Sequence, residues 1–261
     1  EAMENDGSCE CCGDPNAPEA NYTLTIEEHA VGIIPGQTTY RFYIDMYEPT
    51  DNLGSVYGDI AQPFNLSTTT GFYNSQFGGI TGGNINLFSL SFFPELAADS
   101  WITIGIDSEF EDGETEINIS EDSIQPWAAA FSFGSAMDGM NIEMNSATGG
   151  AWYVTWGYTN GLPDENMRVL FMQITTEGEV FGQMNFQVFR PSPFFSNDVY
   201  LTFDFSGSGV FSPIEYQGCG CTDAEALNYN AASTIDDGTC CYSSGCTEPL
   251  ALNFDALACT S

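Results

Sequence analysis

The chain contains no lysine, and its permanently cationic side chains are three arginines, Arg41, Arg168 and Arg190. Against them stand 37 acidic residues, which bring the formal net charge to −34 at pH 7. Proteins bind nucleic acid through clustered cations that neutralise phosphates, so this composition excludes nucleic acid and disfavours an anionic membrane surface. It favours divalent cations, which relieve self-repulsion, although an acidic surface also serves solubility alone.

Histidine is almost absent as well, because His29 is the only one. One histidine cannot build a metal triad or an acid–base pair. The chain also lacks a Gly-x-Ser-x-Gly elbow, a Walker loop and a dinucleotide fingerprint. A glycosidase carboxylate pair stays open as an alternative, but nothing singles out two of the acids. The sequence therefore predicts a protein that is not an enzyme.

Long apolar runs are missing too. None approaches the ~18 residues that a transmembrane helix needs, and no signal peptide begins the chain. We therefore expect no membrane span and interpret the sequence as a mature or excised segment.

Cysteine is absent from residues 13–218, although the chain has nine. This clustering at the two ends, with no catalytic partner nearby, indicates disulfides in an oxidising compartment and a secreted, extracellular or cell-surface protein. The odd count leaves one thiol free or paired between chains. The cysteines are Cys9, Cys11, Cys12, Cys219, Cys221, Cys240, Cys241, Cys246 and Cys259.

Three Asn-x-Ser/Thr sequons begin at Asn21, Asn65 and Asn118. They predict N-glycosylation in a secreted eukaryotic protein and are accidental in a bacterial one.

Hydrophobic residues make up 43% of the chain and aromatic residues 14%, which excludes a disordered acidic tail. In runs such as 22–26, 39–45 and 101–106, apolar and polar residues alternate with period two, as in half-buried strands. Helix is nearly absent apart from a short turn at Pro94–Ala98. The pattern predicts an all-β fold, a β-sandwich with jelly-roll-like topology.

Two finer predictions concern connections. The β-rich runs 168–174 and 182–189 are separated by a short segment around Gly178, which predicts a hairpin. Residues 68–83 are rich in glycine and polar side chains, which predicts a long surface loop.

A repeat near the C-terminus is the most specific signal. Residues 220–230, Gly-Cys-Thr-Asp-Ala-Glu-Ala-Leu-Asn-Tyr-Asn, recur 25 residues later at 245–255, where nine of eleven positions are identical or close in type. The first copy is completed by Asp-Asp-Gly-Thr-Cys at 236–240, whereas the second copy stops short of such a segment. A completing segment, Asn-Asp-Gly-Ser-Cys, lies instead at 5–9. Self-similarity of this kind marks a repeated structural unit.

These boundaries predict three parts. Residues 1–20 form an N-terminal half-repeat and cysteine-rich linker, 21–216 the β-sandwich, and 217–261 one and a half loop-rich repeats, at 220–242 and 245–261.

The repeat resembles the Gly-Cys-Thr-Asp…Asn-Tyr-Asn…Asp-Asp-Gly-Ser/Thr-Cys repeats of large secreted proteins from aquatic microbes, which are similar to thrombospondin type 3 calcium repeats. This resemblance covers residues 1–12 and 219–261. More loosely, the remainder resembles β-rich surface modules found beside such repeats, including ones that build extracellular fibrils in natural waters. The resemblance implies a secreted protein with bound calcium.

Calcium takes six to eight oxygen ligands in flexible geometry, and the repeat offers oxygen-rich side chains beside an Asp-Gly turn. Gly238 allows the positive φ that directs the acidic pair toward the Asn-Tyr-Asn ligands, although a simple Asp-Gly turn explains this glycine as well. The spacing departs from that of typical type 3 repeats and EF-hand loops. The predicted calcium ligands are Asp223, Asn228, Asn230, Asp236 and Asp237, with Asn5, Asp6, Glu248, Asn253 and Asp255 in the half-repeats.

Cys221 and Cys240 bracket the first repeat, and joining them closes a 20-residue loop, with a stabilisation of about 3 kcal/mol in the chain-entropy model. By the same rule Cys246 requires an equivalent of Cys240, and Cys9 is the candidate. Either another copy of the chain supplies it, in a head-to-tail filament, or the chain is one period of a tandem array.

The sequence thus predicts a structural subunit of an extracellular fibril or surface layer. The alternative is a carbohydrate-binding or adhesin module of a large secreted protein, in which exposed Trp127, Trp152 and Trp156 stack on the sugar rings of a polysaccharide. Aromatic core packing explains the same residues.

Overall fold

The structure, a computed structural model, describes residues 17–191, 198–217, 219–230, 233, 235–236 and 238–245. The chain divides into two compact units, one spanning Asn21–Ile214 and the other formed by residues 1–20 and 215–261. The upper boundary of the first unit, 214, lies two residues before the predicted one, 216.

The larger unit is an all-β sandwich, as predicted, with two antiparallel sheets built from strands β1 to β12. The helical elements within it are short: α1 (Leu87–Leu90) and 3-10 turns that include Pro94–Ala98, which was predicted. The strands are β1 (Thr23–Val31), β2 (Thr38–Asp45), β3 (Asn52–Gly58), β4 (Phe64–Thr68), β5 (Trp101–Ile102), β6 (Asn118–Ser120), β7 (Ile142–Met144), β8 (Gly150–Tyr153), β9 (Arg168–Thr176), β10 (Val180–Phe189), β11 (Val199–Ser206) and β12 (Gly209–Phe211).

The first sheet has the order β12-β1-β2-β9-β5. Its inner face follows from the period-two pattern, because Leu24, Ile26, Phe42 and Ile44 alternate with more polar neighbours and are buried. The pairing of β1 with β2 shifts register between Glu28 and Ala30, which places His29 in a β-bulge.

The second sheet has the order β6-β8-β3-β10-β4-β7, with β11 also paired to β10. Strands β3 and β4 pair with successive parts of the same edge of β10, so they form one strand interrupted at residues 59–63. The side-chain amide of buried Asn185 donates to the carbonyls of Tyr57, Gln62 and Pro63 at 2.9–3.1 Å, which satisfies backbone groups that the interruption leaves unpaired.

The predicted hairpin around Gly178 is wrong. The turn exists, but β9 pairs with β2 and β5 in the first sheet, whereas β10 belongs to the second. The connection therefore crosses from one sheet to the other. A short loop between two β-rich runs is compatible with both arrangements, and here β9 is buried almost throughout, so it is a central strand with its own partners on both edges.

The predicted surface loop at 68–83 is only partly correct. The segment is mostly irregular, but Phe72, Asn74 and Ser75 are buried. Asp99, itself fully buried, accepts hydrogen bonds from the backbone N–H groups of Ser75 (2.7 Å) and Gly79 (3.0 Å). Buried polar groups thus replace the missing sheet ladder.

The stability of the fold should depend on the protonation of Asp99. Burial raises the pKa of this carboxyl to about 7, against the backbone hydrogen bonds that lower it. Between about pH 4 and pH 7 the folded state therefore retains a proton that the unfolded state releases, so this stabilisation is present in acid and is lost as the pH rises through about 7. We expect the free energy of unfolding of the wild type to fall more steeply from pH 5 to pH 8 than that of Asp99→Asn, whose amide does not titrate. Urea denaturation at both pH values measures this, and equal slopes would contradict it.

Candidate functional site

The C-terminal repeat is organised around a disulfide and a short parallel pair of strands. Strands β13 (Cys219–Gly220) and β14 (Ile235–Asp236) pair at its base. Cys221 and Cys240 form the predicted disulfide, with their Cα atoms 4.7 Å apart. Cys219 and Cys241 each take part in a disulfide bond as well, separate from Cys221–Cys240. The unit is loop-rich and has few apolar side chains to bury, so covalent links supply much of its stability.

Asn228 connects the two halves of the repeat. Its side-chain amide donates to the carbonyl of Thr239 (2.8 Å), and its side-chain oxygen accepts from the backbone N–H of Cys241 (2.7 Å). The neighbouring N–H of Leu227 donates to the carbonyl of Cys241 (2.6 Å). The first half of the repeat therefore forms hydrogen bonds with the backbone on both sides of Cys240. We call this arrangement of Leu227 and Asn228 the amide clamp.

The carboxylates of the repeat also form turns and cross-links. Asp223 accepts from the backbone N–H of Glu225 (2.9 Å) and from the hydroxyl of Tyr242 (2.8 Å). These two bonds, in that order, lower the pKa of Asp223, and the second raises the pKa of Tyr242. Asp236 accepts from the N–H of Gly238 (2.9 Å), whose φ of 77° is the positive dihedral predicted for this position.

Four of the predicted calcium ligands lie among the described residues, namely Asp223, Asn228, Asn230 and Asp236. Within the described ranges, no three His, Cys, Asp or Glu side chains converge as a metal-binding group. Asn228 serves the amide clamp, while Asp223 and Asp236 keep carboxylate oxygens with further acceptor capacity. Asn230 donates its backbone N–H to the carbonyl of Cys221 (3.0 Å). Predicted ligands that lie outside the described residues are Asn5, Asp6, Asp237, Glu248, Asn253 and Asp255.

Several other predicted site residues lie outside the described residues as well, namely Cys9, Cys11, Cys12, Cys246 and Cys259. Of the sequons, Asn21 and Asn118 are exposed. Asn65 is half-buried in β4, opposite Gln183 and Glu143 of the neighbouring strands. Glycosylation stays a prediction at all three.

The tryptophans differ from the sugar-stacking prediction. Trp127 and Trp152 are each 1% exposed and belong to the core, so they cannot stack on a sugar. Trp156 is 61% exposed and contacts Phe189 edge to face, with ring centroids 5.7 Å apart. Alternation along a strand indicates which face a side chain occupies but not whether another sheet covers that face.

Sequence reasoning missed a cluster of scarce arginines on the outer face of the first sheet. Arg41 lies 5.7 Å from the Trp101 ring and donates to Asp107 (3.0 Å), while Arg168 lies 3.9 Å above the Tyr43 ring. Both arginines line one cavity of about 350 Å³. The available signal was their rarity, since three arginines in 261 residues cannot be a general solubility device.

No helix among the residues that the structure describes has the length and apolar character required to cross a membrane. Comparisons of the chain with protein-family models, with curated proteins and with solved structures found no match in any of the three.

Proposed function

We propose that this protein is a structural subunit of an extracellular fibril or surface layer and that its subunits are linked head-to-tail through the terminal repeats. The amide clamp is the observation that carries the proposal. It is formed by the first half of a repeat and holds residues 238–241 through backbone groups alone, so a segment of the form Gly-Ser/Thr-Cys-x can be held in the same way.

The sequence contains two first halves, 220–230 and 245–255, and two completing segments, 236–240 and 5–9. The residues of the amide clamp recur in the second copy, 245–255, as Leu252 and Asn253. The second completing segment lies on the other side of the β-sandwich in the sequence. In our proposal, residues 245–255 of one subunit hold residues 5–9 of the next.

The link is covalent in this proposal. Cys246 of one subunit and Cys9 of the next form a disulfide equivalent to Cys221–Cys240. Two thiols then lose two protons and two electrons to an extracellular oxidant, such as molecular oxygen or a small disulfide. A contact between unlike ends does not close on itself in general, so repetition gives a filament.

The assembly test uses the full chain under oxidising conditions. We expect a ladder of oligomers on a non-reducing gel and filaments by electron microscopy. Cys246→Ser should abolish the ladder, whereas Ser244→Ala, a matched change beside the repeat boundary, should leave it intact. Monomer alone in the wild-type lane would contradict the proposal.

Calcium completes the proposal, because the repeat combines unneutralised carboxylates with a charge of −34 on the whole chain. We expect a chelator to lower the melting temperature of the repeat unit and leave that of the sandwich unchanged, since a ligand stabilises only the unit that binds it. Differential scanning calorimetry with and without chelator measures this.

Asp236→Asn should weaken the calcium effect, whereas Asp204→Asn, on the second sheet, should not. Identical melting curves in calcium and in chelator would exclude the metal while leaving the disulfide link intact.

A further inference from the structure

We propose that two adjoining cavities around the loop at residues 156–164 bind a neutral polysaccharide, with Trp156 as the stacking surface. This site lies on the sandwich and is independent of the linking role of the repeats. The argument rests on the exposure of the aromatic residues, the polar groups beside them and the way in which the loop is fixed.

The first cavity has a volume of about 300 Å³ and is mainly apolar. Trp156 and Tyr158 line this cavity, and their side chains are 61% and 40% exposed. By contrast, the other three tryptophans of the chain are each 1% exposed. Leaving large apolar rings in water costs free energy, and such patches usually mark binding surfaces. Pro49 and Pro191 form further parts of the wall, so the rings face a rigid apolar cleft.

The second cavity has a volume of about 350 Å³ and is polar. It shares Thr159 and Leu162 with the first, so the two cavities meet at the same loop. Donors and acceptors are mixed along its wall, since the two arginines of the outer-face cluster lie among carboxylates. The charged lining residues are Arg41, Arg168, Asp107, Glu114 and Asp164.

This mixture identifies the class of ligand. A sugar hydroxyl both donates and accepts hydrogen bonds, so a polyol satisfies arginine and carboxylate partners together. A polyanion is disfavoured, because three carboxylates outnumber two arginines in the cavity and the whole chain carries −34. Aromatic rings beside such a cavity provide the stacking surface that a pyranose ring requires. A neutral polysaccharide meets all three conditions.

The loop is fixed before any ligand arrives. The side-chain amide of buried Asn160 donates to the carbonyls of Ile104 (2.9 Å) and Thr115 (3.2 Å). On the other side, Asn52 donates to the carbonyl of Tyr158 (3.2 Å). Met167, just beyond the loop, has a φ of 63°, the one positive value for a non-glycine residue among the described residues. A preorganised loop loses little conformational entropy on binding, and strained residues of this kind concentrate at functional sites.

The test is affinity gel electrophoresis and calorimetry of the full chain with soluble neutral glucans, a galactomannan and, for comparison, polygalacturonate. We expect at least one neutral polysaccharide to bind and polygalacturonate not to. Trp156→Ala should weaken binding at least about tenfold, Trp156→Phe should restore part of it, and Asp107→Ala should weaken it about threefold or more.

Tyr200→Ala is the control, because this side chain is 57% exposed but lies in β11, outside both cavities. Circular dichroism verifies that each variant is folded. Binding of no neutral polysaccharide, preference for the polyanion, or unchanged binding in Trp156→Ala or Asp107→Ala would overturn the proposal. None of these outcomes affects the assembly test, which measures oligomers linked through the terminal repeats.

Discussion

Replacing Trp152 by alanine is expected to lower the free energy of unfolding of the sandwich by about 3–5 kcal/mol, the range for removing a large aromatic side chain from a core. Its ring lies between the two sheets, 5.5 Å from the Trp127 ring and 5.6 Å from the Phe64 ring by centroid distance. Its indole N–H donates to the carbonyl of Thr103 (3.0 Å), and that buried acceptor loses its partner in the variant.

Trp156→Ala is the matched control, because the same substitution at an exposed site should change the free energy of unfolding by no more than about 0.5 kcal/mol. Urea denaturation followed by circular dichroism measures both variants. Equal losses in the two proteins, or a loss under about 1 kcal/mol for Trp152→Ala, would contradict the assigned core.

Removing the disulfide Cys221–Cys240 by a double alanine substitution is expected to unfold the C-terminal repeat and leave the sandwich intact. The closed loop accounts for about 3 kcal/mol in the chain-entropy model. The amide clamp depends on it as well, because Cys240 lies between the two backbone groups that Asn228 holds. The sandwich has no cysteine between residues 21 and 214 and contains its own aromatic core.

Hydrogen exchange followed by mass spectrometry measures this effect in peptides from residues 219–245 and, separately, in peptides from the sandwich. Glu225→Gln, an exposed substitution in the same unit, is the control and should leave exchange unchanged. Persistent protection of the repeat in the double variant would show that the disulfide is dispensable.

The sandwich could be predicted because alternation along β1 and β2 directly records one buried and one open face. The order in which the chain passes between the two sheets could not be predicted. The turn at Gly178 has the length of a hairpin, and what makes it a crossing is the choice of partners by β9, which depends on segments distant in sequence.

The repeat shows the same division. Self-similarity located the disulfide and the turn at Gly238, because both are local to one repeat. The role of Asn228 could not be predicted, because the sequence does not distinguish an asparagine whose side-chain oxygen binds calcium from one whose oxygen accepts a backbone hydrogen bond. The arginine cavity was missed because Arg41 and Arg168 are 127 residues apart in the sequence and meet only through the pairing of β2 with β9.

The most direct test of the linking role is an isotope-mixing measurement. Equal amounts of reduced unlabelled and ¹⁵N-labelled full chain are mixed, oxidised and digested without reduction by a protease that cleaves after glutamate. Cleavage after Glu4 and Glu10 releases Cys9 in a peptide separate from Cys11. Cleavage after Glu225 and Glu248 leaves Cys246 in one peptide with Cys240 and Cys241. Head-to-tail linkage predicts that the Cys9 peptide is disulfide-bonded to this peptide, with one light and one heavy partner in about half of the pairs. If every pair is purely light or purely heavy, with no mixed pairs, the disulfide forms within one chain and the account is contradicted.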